Sequence, residues 1–312
     1  MSEKVTNRRA VLQSALGLAA VVALPRGAFA KSSPKPTATA LNDRVLVLSG
    51  LGGNVVAVRG DEGLLLIDTG ASGATSALQS ELKKFARGAR VTTVINTHWH
   101  SDHTGGNDVF GKGGAKIIAH AKAAQRMAID QYVPWEDRYL KARARVAVPT
   151  EVFYLGSREL KFGGETIEYG YLQQPHTDGD LYVHLRDSNV LIVGDCAAPV
   201  SDPVIAWFEG GWVGGRVDSQ AKLIAMANEQ TRVIAGTGGV FSVAELKTER
   251  DAMEKVFDRV SDAMRKGFTT EDMQNAKLLD GLTRTWADPD KFIYDAHKSM
   301  WAHYNKLSHT IV

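Results

Sequence analysis

Residues 90–106 read RVTTVINTHWHSDHTGG, an apolar β-branched run followed by a cluster of histidine and aspartate. The apolar run predicts a strand that ends just before the cluster. Because successive strand side chains alternate between faces, we expect His98 and His100 to project to the same side of the strand end. The turn that follows would bring Asp102 and His103 to an adjacent position. Imidazoles and carboxylates grouped in this way predict a metal site.

The residue types in this cluster also indicate which chemistry it supports. Imidazole and carboxylate ligands at this density suit zinc best, although iron or manganese would accept a similar set. A bound metal ion lowers the pKa of water to about 7, so a hydroxide nucleophile exists at neutral pH. The sequence therefore predicts a metal-dependent hydrolase in which the metal also polarises the substrate's carbonyl or phosphoryl oxygen. Asp102 would orient the attacking water or accept its proton.

The predicted elements around the motif form two similar halves. Up to the motif, the patterns predict an antiparallel meander, a helix and a strand, at residues 44–48, 54–59, 63–67, 72–85 and 90–95. After Thr150 they predict four strands, a helix and a last strand, at residues 152–162, 165–172, 181–185, 190–193, 219–228 and 232–235. Stacking the two sheets face to face, with helices outside, gives an α+β fold, a four-layer αββα sandwich.

Two further regions are predicted to be helical. Residues 121–146 form an insertion between the halves, and a helical tail follows the second half at 243–266, 271–279 and 289–307. We therefore expect structure to begin near Leu41. The main domain would occupy 41–242, and a C-terminal helical extension, 243–312, would pack on it.

The N-terminus is typical of an export signal. Arg8 and Arg9 precede an apolar run at 15–24, and a small-x-small cleavage site ends at Ala30. The paired arginines resemble a twin-arginine signal, and a run of about ten apolar residues is too short for a stable membrane anchor, which needs roughly 20. We expect cleavage near Ala30, a Pro-rich linker at 31–40, and passage through the machinery that exports folded proteins to the periplasm or beyond.

Composition narrows the possible partners. The chain is 44% apolar and 23% charged, with 37 basic and 35 acidic side chains, which excludes a polybasic nucleic-acid binder. Loss of residues 1–30 would remove four of those basic groups and one acidic group, so the remainder gives no electrostatic reason for a nucleic-acid or acidic-membrane partner. Cys196 is the single cysteine, so no intrachain disulfide can form.

The histidine cluster, together with the sequence LLLIDTG at 64–70, resembles the metallo-β-lactamase superfamily of hydrolases. The resemblance covers roughly residues 41–240. It implies that His176, in the segment PHTDGD, completes a three-histidine site with His98 and His100. It also implies that Asp195, in the segment VGD, bridges this metal to a second one.

The same resemblance assigns the second metal and its surroundings. Asp102 and His103 would hold the second metal together with Asp195. Asp68, in the Asp-Thr-Gly turn, would support the histidine-bearing loop rather than react. Cys196 would point away from the site, because it follows Asp195 in a strand, and would be a small buried hydrophobe.

One expected ligand is absent from the sequence. The family closes its second site with Gly-His-Gly, whereas Thr237 stands between two glycines here, and a threonine hydroxyl is a poor zinc ligand. Three outcomes remain open: a weaker two-metal site, a single metal, or rescue by another histidine. We expect one or two zinc ions per chain. The spare histidines, each more typical of a surface or packing position, are His120, His184, His297, His303 and His309.

Substrate choice depends on the loops above the metals. Residues 50–54 should overhang the site. Aromatic side chains would either wall an apolar pocket or pack the helical tail; they are Tyr132, Trp135, Trp207, Phe208 and Trp212. No basic cluster marks a phosphate pocket, which favours a small neutral ester, lactone, thioester or lactam.

Two functions therefore remain open at this point. The first is a zinc-dependent periplasmic hydrolase of such a small carbonyl substrate. The second, motivated by Thr237, is a metal-weakened relative that binds a ligand or assists a periplasmic oxidation pathway. True β-lactamase activity is a narrower form of the first.

Overall fold

The computed structural model of the protein describes residues 35–86, 88–133 and 137–305. The export signal, the start of the linker, Trp135 and His309 lie outside these ranges. The strands are β1 (Thr37–Ala40), β2 (Val45–Ser49), β3 (Val55–Gly60), β4 (Gly63–Ile67), β5 (Val91–Ile95), β6 (Lys116–His120), β7 (Gln131–Val133), β8 (Arg138–Leu140), β9 (Glu151–Phe153), β10 (Ser157–Phe162), β11 (Glu165–Tyr171), β12 (Leu181–Leu185), β13 (Val190–Gly194), β14 (Arg232–Ala235) and β15 (Val240–Ser242). The helices are α1 (Thr75–Ala86), α2 (Ser101–Thr104), α3 (Asn107–Lys112), α4 (Ala121–Ala128), α5 (Val213–Met226), α6 (Val243–Arg265), α7 (Thr270–Asn275) and α8 (Pro289–Tyr304).

The strands form two mixed sheets and a small hairpin. The first sheet has the order β1-β2-β3-β4-β5-β6-β9 and is antiparallel as far as β4 and parallel beyond it. The second has the order β10-β11-β12-β13-β14-β15 and is antiparallel except between β13 and β14. In each sheet, neighbouring parallel strands end side by side, so the loops that follow them are adjacent. Loops at the carboxyl ends of parallel strands are a common place for ligands.

Alternation along the strands of the first sheet separates two layers of core. Val45 and Val47 of β2 lie in the cluster shared by the two sheets, whereas Leu46 and Leu48 lie in a cluster with Leu78 of α1. Side chains two residues apart face the same side of a strand, so each face of the sheet is buried against a different partner. The first half therefore supplies one helix layer and one sheet layer.

The second sheet is covered in the same way. Ile192 of β13 faces the first sheet, whereas Leu191 and Val193 pack with Leu223 of α5 and Leu246 of α6. Helices thus cover the outer face of both sheets. The predicted αββα sandwich with C-terminal helices is confirmed.

The C-terminal helices pack on α5 around a separate apolar cluster. Val217 of α5, Val256 of α6, Met273 of α7 and Met300 of α8 are among its buried members. Ser242 begins α6 with a capping box, in which its side chain accepts from the backbone three residues ahead. Among the helices in the described ranges, none combines the length and apolar character needed to cross a membrane.

The predicted helical insertion at 121–146 is wrong beyond its first eight residues. α4 ends at Ala128, because Ile129 has extended torsion angles of φ −128° and ψ 159°. The chain then forms the hairpin β7–β8, and Asp130 closes its base by accepting a hydrogen bond from Lys141 Nζ at 2.7 Å. The contact joins residues eleven apart, which a helical spacing of apolar side chains does not reveal.

Two strand predictions also fail. The single strand predicted at 152–162 is two strands in different sheets, with Gly156 between them at a φ of +74° that glycine adopts without strain. Structure begins before Leu41, because β1 pairs with β2 from Thr37 onward. All four residues of β1 are exposed, so its sequence lacks the apolar alternation that marks a half-buried strand.

The helix predicted to begin at residue 219 begins six residues earlier, at Val213. Gly214 and Gly215 resemble a loop in the sequence. A Cβ at Gly215 would lie 2.4 Å from the carbonyl oxygen of Gln173, so glycine here allows α5 to approach a neighbouring backbone closely.

Candidate metal centre

The histidine motif lies in the loop after β5 and in the short helix α2. β5 ends at Ile95, so His98 and His100 follow it in irregular backbone and do not belong to the strand. His100 occupies the position before α2, with an extended backbone. The two imidazoles do converge as predicted. The reason given for it, the alternation of side chains along a strand, is wrong because neither residue is in the strand.

The first group of possible ligands consists of His98, His100 and His176. Each offers one ring nitrogen, and these atoms lie within 4.8 Å of one another. His176 Nε2 is 3.0 Å from His100 Nδ1. His176 comes from the turn between β11 and β12, so the group joins the two halves of the sandwich.

The second group consists of His98, His103 and Asp195. Asp195, directly after β13, places Oδ2 3.6 Å from His176 Nε2 and Oδ1 3.4 Å from His103 Nε2. Its carboxylate therefore lies between the two groups. Asp102 is at the edge, with Oδ2 3.8 Å from His103 Nε2 and a side chain 49% exposed.

Two buried nitrogen atoms indicate that these residues fit a metal ion. His98 Nε2 and His103 Nε2 are buried and have no hydrogen-bond partner among the described residues. Leaving such an atom unpaired costs about 1–3 kcal/mol. A cation between the imidazoles and the carboxylate would satisfy both atoms, and nitrogen with carboxylate oxygen is a donor set that zinc accepts.

The electrostatic environment favours positive charge at this place. Burial lowers the pKa of His98 well below its usual value and that of His176 to about 4, so both rings are neutral at neutral pH, the form that ligates metals. Burial acts on His103 in the same direction, but the carboxylates of Asp195 and Asp68 raise its pKa well above the usual value. Either a proton on His103 Nε2 or a cation in front of it meets this preference.

Asp68 holds the histidine loop from behind. It follows β4 with a φ of +61°, an uncommon conformation for a residue with a side chain. Its Oδ1 accepts from the backbone of Thr97 at 2.7 Å, and its Oδ2 accepts from Thr97 Oγ1 at 2.7 Å and lies 2.8 Å from His103 Nδ1. A proton on Nδ1 leaves Nε2 of His103 free for a ligand.

The remaining ring nitrogens of His176 and His100, which do not face each other, also have partners. His176 Nδ1 donates to the carbonyl of Val204 at 2.8 Å. His100 Nε2 lies 2.6 Å from Glu209 Oε2, which also accepts from Trp99 Nε1 at 3.1 Å. Glu209 was not identified from the sequence, because it lies in an isolated turn with no spacing that relates it to His100.

Two buried aspartates fix the turn that carries His176. Asp180 accepts from the backbone of His176 at 2.8 Å and from the backbone and hydroxyl of Thr177 at 2.7 and 2.6 Å. Asp178 forms a two-pronged ion pair with Arg126 of α4, at 2.8 and 2.9 Å. The segment PHTDGD therefore contributes a possible ligand and also the contacts that orient it.

A buried ion pair that no sequence pattern indicated holds the backbone at Asp195. Arg216 of α5 donates from Nη2 to Glu249 Oε1 of α6 at 2.9 Å and from Nη1 to the carbonyl of Asp195 at 2.7 Å. Glu249 also accepts from Gln220 Nε2 and from the backbone of Ala198, each at 3.0 Å. The pair joins residues 33 positions apart on two helices, so only the packing of those helices brings it together.

Glycine positions let the loops approach the donors. A Cβ at Gly53 would lie 2.6 Å from the His103 ring, so the predicted overhang of residues 50–54 comes down onto this imidazole. A Cβ at Gly236 would lie 1.8 Å from Asp195 Oδ1. Thr237 follows and is half-buried, and among the described residues its side chain is hydrogen-bonded to none of these donors.

The spare histidines that the structure describes lie outside both groups. His120 stacks on Tyr171, and His297 contacts the hydroxyl of Thr270 at 2.7 Å. His184 lies on β12 opposite Glu168 of β11. Neither these histidines nor His303 belongs to either group of possible ligands.

Cys196 is likewise outside both groups of possible ligands. It is buried, and burial raises the pKa of its thiol, which keeps the thiol protonated at neutral pH. Its carbonyl accepts from Gln220 Nε2 at 2.8 Å.

The aromatic side chains predicted to wall a pocket lie in three different places. Trp212 stacks on His303 of α8, with ring centroids 3.6 Å apart and planes 7° apart, so it packs the helical tail. Tyr132 is on the hairpin, where its hydroxyl donates to Asp137. Trp207 and Phe208 lie beside His100, around a cavity.

The comparison with known families agrees with this fold. A model of the family described as the metallo-beta-lactamase superfamily matches residues 48–238, which is more than half of the chain. The chain therefore belongs to the metallo-beta-lactamase superfamily.

Similar proteins include enzymes named hydroxyacylglutathione hydrolase. The one from Erythrobacter litoralis is 31% identical over 111 residues, covering 35% of this chain and 36% of that protein. The one from Rhodospirillum rubrum is 29% identical over 189 residues, covering 58% of this chain and 64% of that protein. The chain thus spans less than two thirds of the length of these curated relatives.

Solved structures resemble the fold at low sequence identity. A metallo-beta-lactamase from Pontibacter korlensis has a TM-score of 0.59 at 18% identity, covering 70% of this chain and 99% of that one. The stereoselective inverting sec-alkylsulfatase Pisa1 from Pseudomonas sp. has a TM-score of 0.61 at 18% identity, covering 86% of this chain and 50% of that one. At such identities the likeness shows the fold alone.

Replacing the buried arginine tests the support of Asp195. We expect Arg216→Met to lower the free energy of unfolding by about 3 kcal/mol, because it leaves Glu249 buried without its main partner. Breaking a buried ion pair costs roughly 3–5 kcal/mol, and we expect a loss at the low end of that range because Arg284 Nη1 remains 3.7 Å from Glu249 Oε2. Urea denaturation measures the change. Arg265→Met, which removes an exposed pair with Asp262, is the matched control and should cost at most about 1 kcal/mol; equal losses in both variants would contradict the assigned role.

Proposed function

We propose that the protein is a zinc-dependent hydrolase of a small carbonyl substrate. The observation that supports this most directly is the pair of unpaired, buried Nε2 atoms, on His98 and His103, on either side of the Asp195 carboxylate. His98, His100 and His176 would hold one zinc ion. Asp195 would bridge it to a second ion held by His103 and Asp102.

Zinc, when bound, would lower the pKa of a coordinated water to about 7 and polarise a carbonyl oxygen. Asp102, the most exposed of the donors, would orient the attacking water and accept its proton at a carboxylate oxygen. Asp68 and Glu209 would keep the imidazoles of His103 and His100 in the tautomers that present a bare nitrogen to the metal, because each carboxylate oxygen lies within 2.8 Å of the other ring nitrogen.

We infer that the substrate is a thioester or ester in preference to a phosphodiester. The relatives named hydroxyacylglutathione hydrolase support a thioester, since their name describes an acyl group carried on a thiol. A lactone or lactam presents the same electrophilic carbonyl, so the site chemistry extends to both. The likeness to β-lactamase structures supports the fold and adds no preference for a lactam.

We propose that the second zinc is held more weakly than the first. Three imidazoles surround the first position, whereas the second has His103, Asp195 and the half-exposed Asp102. Thr237 supplies a neutral hydroxyl where the family supplies an imidazole, so one strong donor is lost.

We also propose that the protein acts in the periplasm after export in the folded state. The support is the sequence of residues 1–30, with Arg8 and Arg9 ahead of a short apolar run and a cleavage site at Ala30. Folding before export would let zinc be loaded in the cytoplasm.

A controlled-metal assay tests the hydrolase proposal. We expect one to two zinc ions per chain by elemental analysis, and hydrolysis of a thioester, ester or lactone that stops on chelation and returns with zinc.

Glu209→Ala should weaken zinc binding by about 10-fold to 100-fold, since it frees the His100 ring. Glu229→Ala, an exposed glutamate, is the control and should leave zinc affinity unchanged. A folded protein that stays inert on the whole panel with zinc added would refute the proposal.

A designed ligand tests the account of the second metal. Thr237→His restores the imidazole that the family uses, so the affinity for a second zinc should rise by at least about 10-fold. Competition with a chromophoric chelator measures the two affinities separately. If the stoichiometry and both affinities match those of the unaltered protein, residue 237 does not face the second site.

Export is tested by conservative replacement of the paired arginines. The double change Arg8→Lys and Arg9→Lys keeps the charge but should keep the uncleaved chain in the cytoplasm, because the twin-arginine signal requires the guanidinium pair. Arg26→Lys, in the same segment, is the control. Fractionation of a bacterial host, followed by mass measurement of the periplasmic form, reads the result. Equal periplasmic yield from all variants would exclude this route.

A further inference from the structure

A cavity of about 450 Å³ lies beside the first group of donors. Residues 204–209 form one wall, and Lys291, Tyr294 and Asp295 of α8 form the other. His100 also lines the cavity. This volume is within the range of sites that hold small molecules.

The wall made by residues 204–209 presents mainly apolar groups. Ile205 is buried, and Trp207 and Phe208 pack edge to face with ring centroids 5.9 Å apart. Val204 and Ala206 complete this wall. A neutral hydrocarbon group would replace water here without leaving a polar atom of its own unpaired.

The charges on the opposite wall compensate each other. Lys291 Nζ contacts Asp295 Oδ2 one helical turn away on α8. Glu209 Oε2 accepts from Trp99 Nε1 and lies 2.6 Å from His100 Nε2. Each charged side chain among the described residues that line the cavity thus has a partner, which favours a neutral group in the cavity over a carboxylate or phosphate.

The cavity is tied to the donor atoms by short contacts. The carbonyl of Val204 accepts from His176 Nδ1 at 2.8 Å, and the backbone of Ala206 donates to the carbonyl of His176 at 3.1 Å. His100 borders the cavity with a ring whose Nδ1 belongs to the donor group. A group in the cavity is thus one imidazole ring away from the reacting position.

We propose that this cavity binds the apolar acyl chain of the substrate, so that the enzyme prefers acyl groups of medium length over acetyl. The inference rests on the proposed hydrolase function for its catalytic meaning. The binding of a hydrocarbon chain beside His100 does not depend on turnover. The chain would lie between Ala206 and Tyr294, with its carbonyl end toward the donors.

Chain-length series measure this binding with and without catalysis. Calorimetry with acetate, butyrate, hexanoate and octanoate on the zinc-loaded protein should give a threefold to fourfold gain in affinity per added methylene, from about 0.8 kcal/mol per buried methylene. The kcat/KM for thioesters of one thiol with the same acyl groups should rise by a similar factor. The quantity compared is the slope of log affinity, or of log kcat/KM, against the number of methylenes. The carboxylate or thioester head group contributes a constant to every member of a series and therefore does not affect the slope.

Two variants of the cavity walls decide the assignment. Each slope gives the gain in affinity, or in kcat/KM, per methylene of the acyl chain. Ala206→Phe fills the cavity and should bring both gains close to one. Tyr294→Ala removes a side chain of the opposite wall and should lower each gain per methylene at least twofold. Tyr154→Ala, an exposed tyrosine outside the cavity, is the matched control and should keep the full slope. If Ala206→Phe does not fold, Tyr294→Ala decides alone.

The outcomes separate this inference from the hydrolase proposal. A steep slope for carboxylate binding that the variants reduce supports the acyl site even if no thioester is hydrolysed. A flat binding slope in the unaltered protein, or a steep one that Tyr294→Ala leaves unchanged, overturns the acyl site even if hydrolysis is observed.

Discussion

The carboxylate of Asp195 lies between two groups of imidazoles, all buried except that of His100, and both halves of the sandwich converge on it. His98 and His103 come from the first half, and His176 and Asp195 come from the second. Bare imidazole nitrogens packed so closely inside a protein are unfavourable unless a proton or a metal ion lies between them, and that positive charge needs a nearby anion. The carboxylate of Asp195 supplies the anion, and a metal ion would supply the positive charge. The rest of the architecture holds these groups in place.

Three further carboxylates carry out that task, two of them buried and the third, that of Glu209, partly buried, and each comes from a different part of the chain. Asp68 orients the His103 ring, Glu209 orients the His100 ring, and Glu249 holds Arg216 against the backbone of Asp195. Asp68 and Glu249 each accept hydrogen bonds at both carboxylate oxygens, and Glu209 Oε2 contacts two ring nitrogens, so each of the three is held by partners. The donors therefore sit in a network whose rigidity comes from packing between elements rather than from any one loop.

The C-terminal helices complete the site as well as the fold. α6 contributes Glu249 to the support of Asp195, and α8 contributes one wall of the cavity beside His100. Both helices share an apolar cluster with α5. A change in the packing of this cluster would thus be transmitted both to the donor that joins the two groups and to the cavity proposed for the acyl chain.

Alternating apolar residues predicted the layer architecture, and a dense run of histidine and aspartate predicted a metal site at residues 98–103, because both are local patterns. His176 and Asp195 were added to the possible ligands only through the family resemblance. It did not reveal Glu209, Arg216 or Glu249, since each acts on a residue distant in sequence and carries no recurring spacing. It also misjudged the hairpin after α4 and the chain crossing at Gly156, where a contact between distant residues or one left-handed glycine outweighs local preference. Which imidazoles face one another follows from the stacking of the two sheets, because that stacking brings the loops after β5, β11 and β13 together.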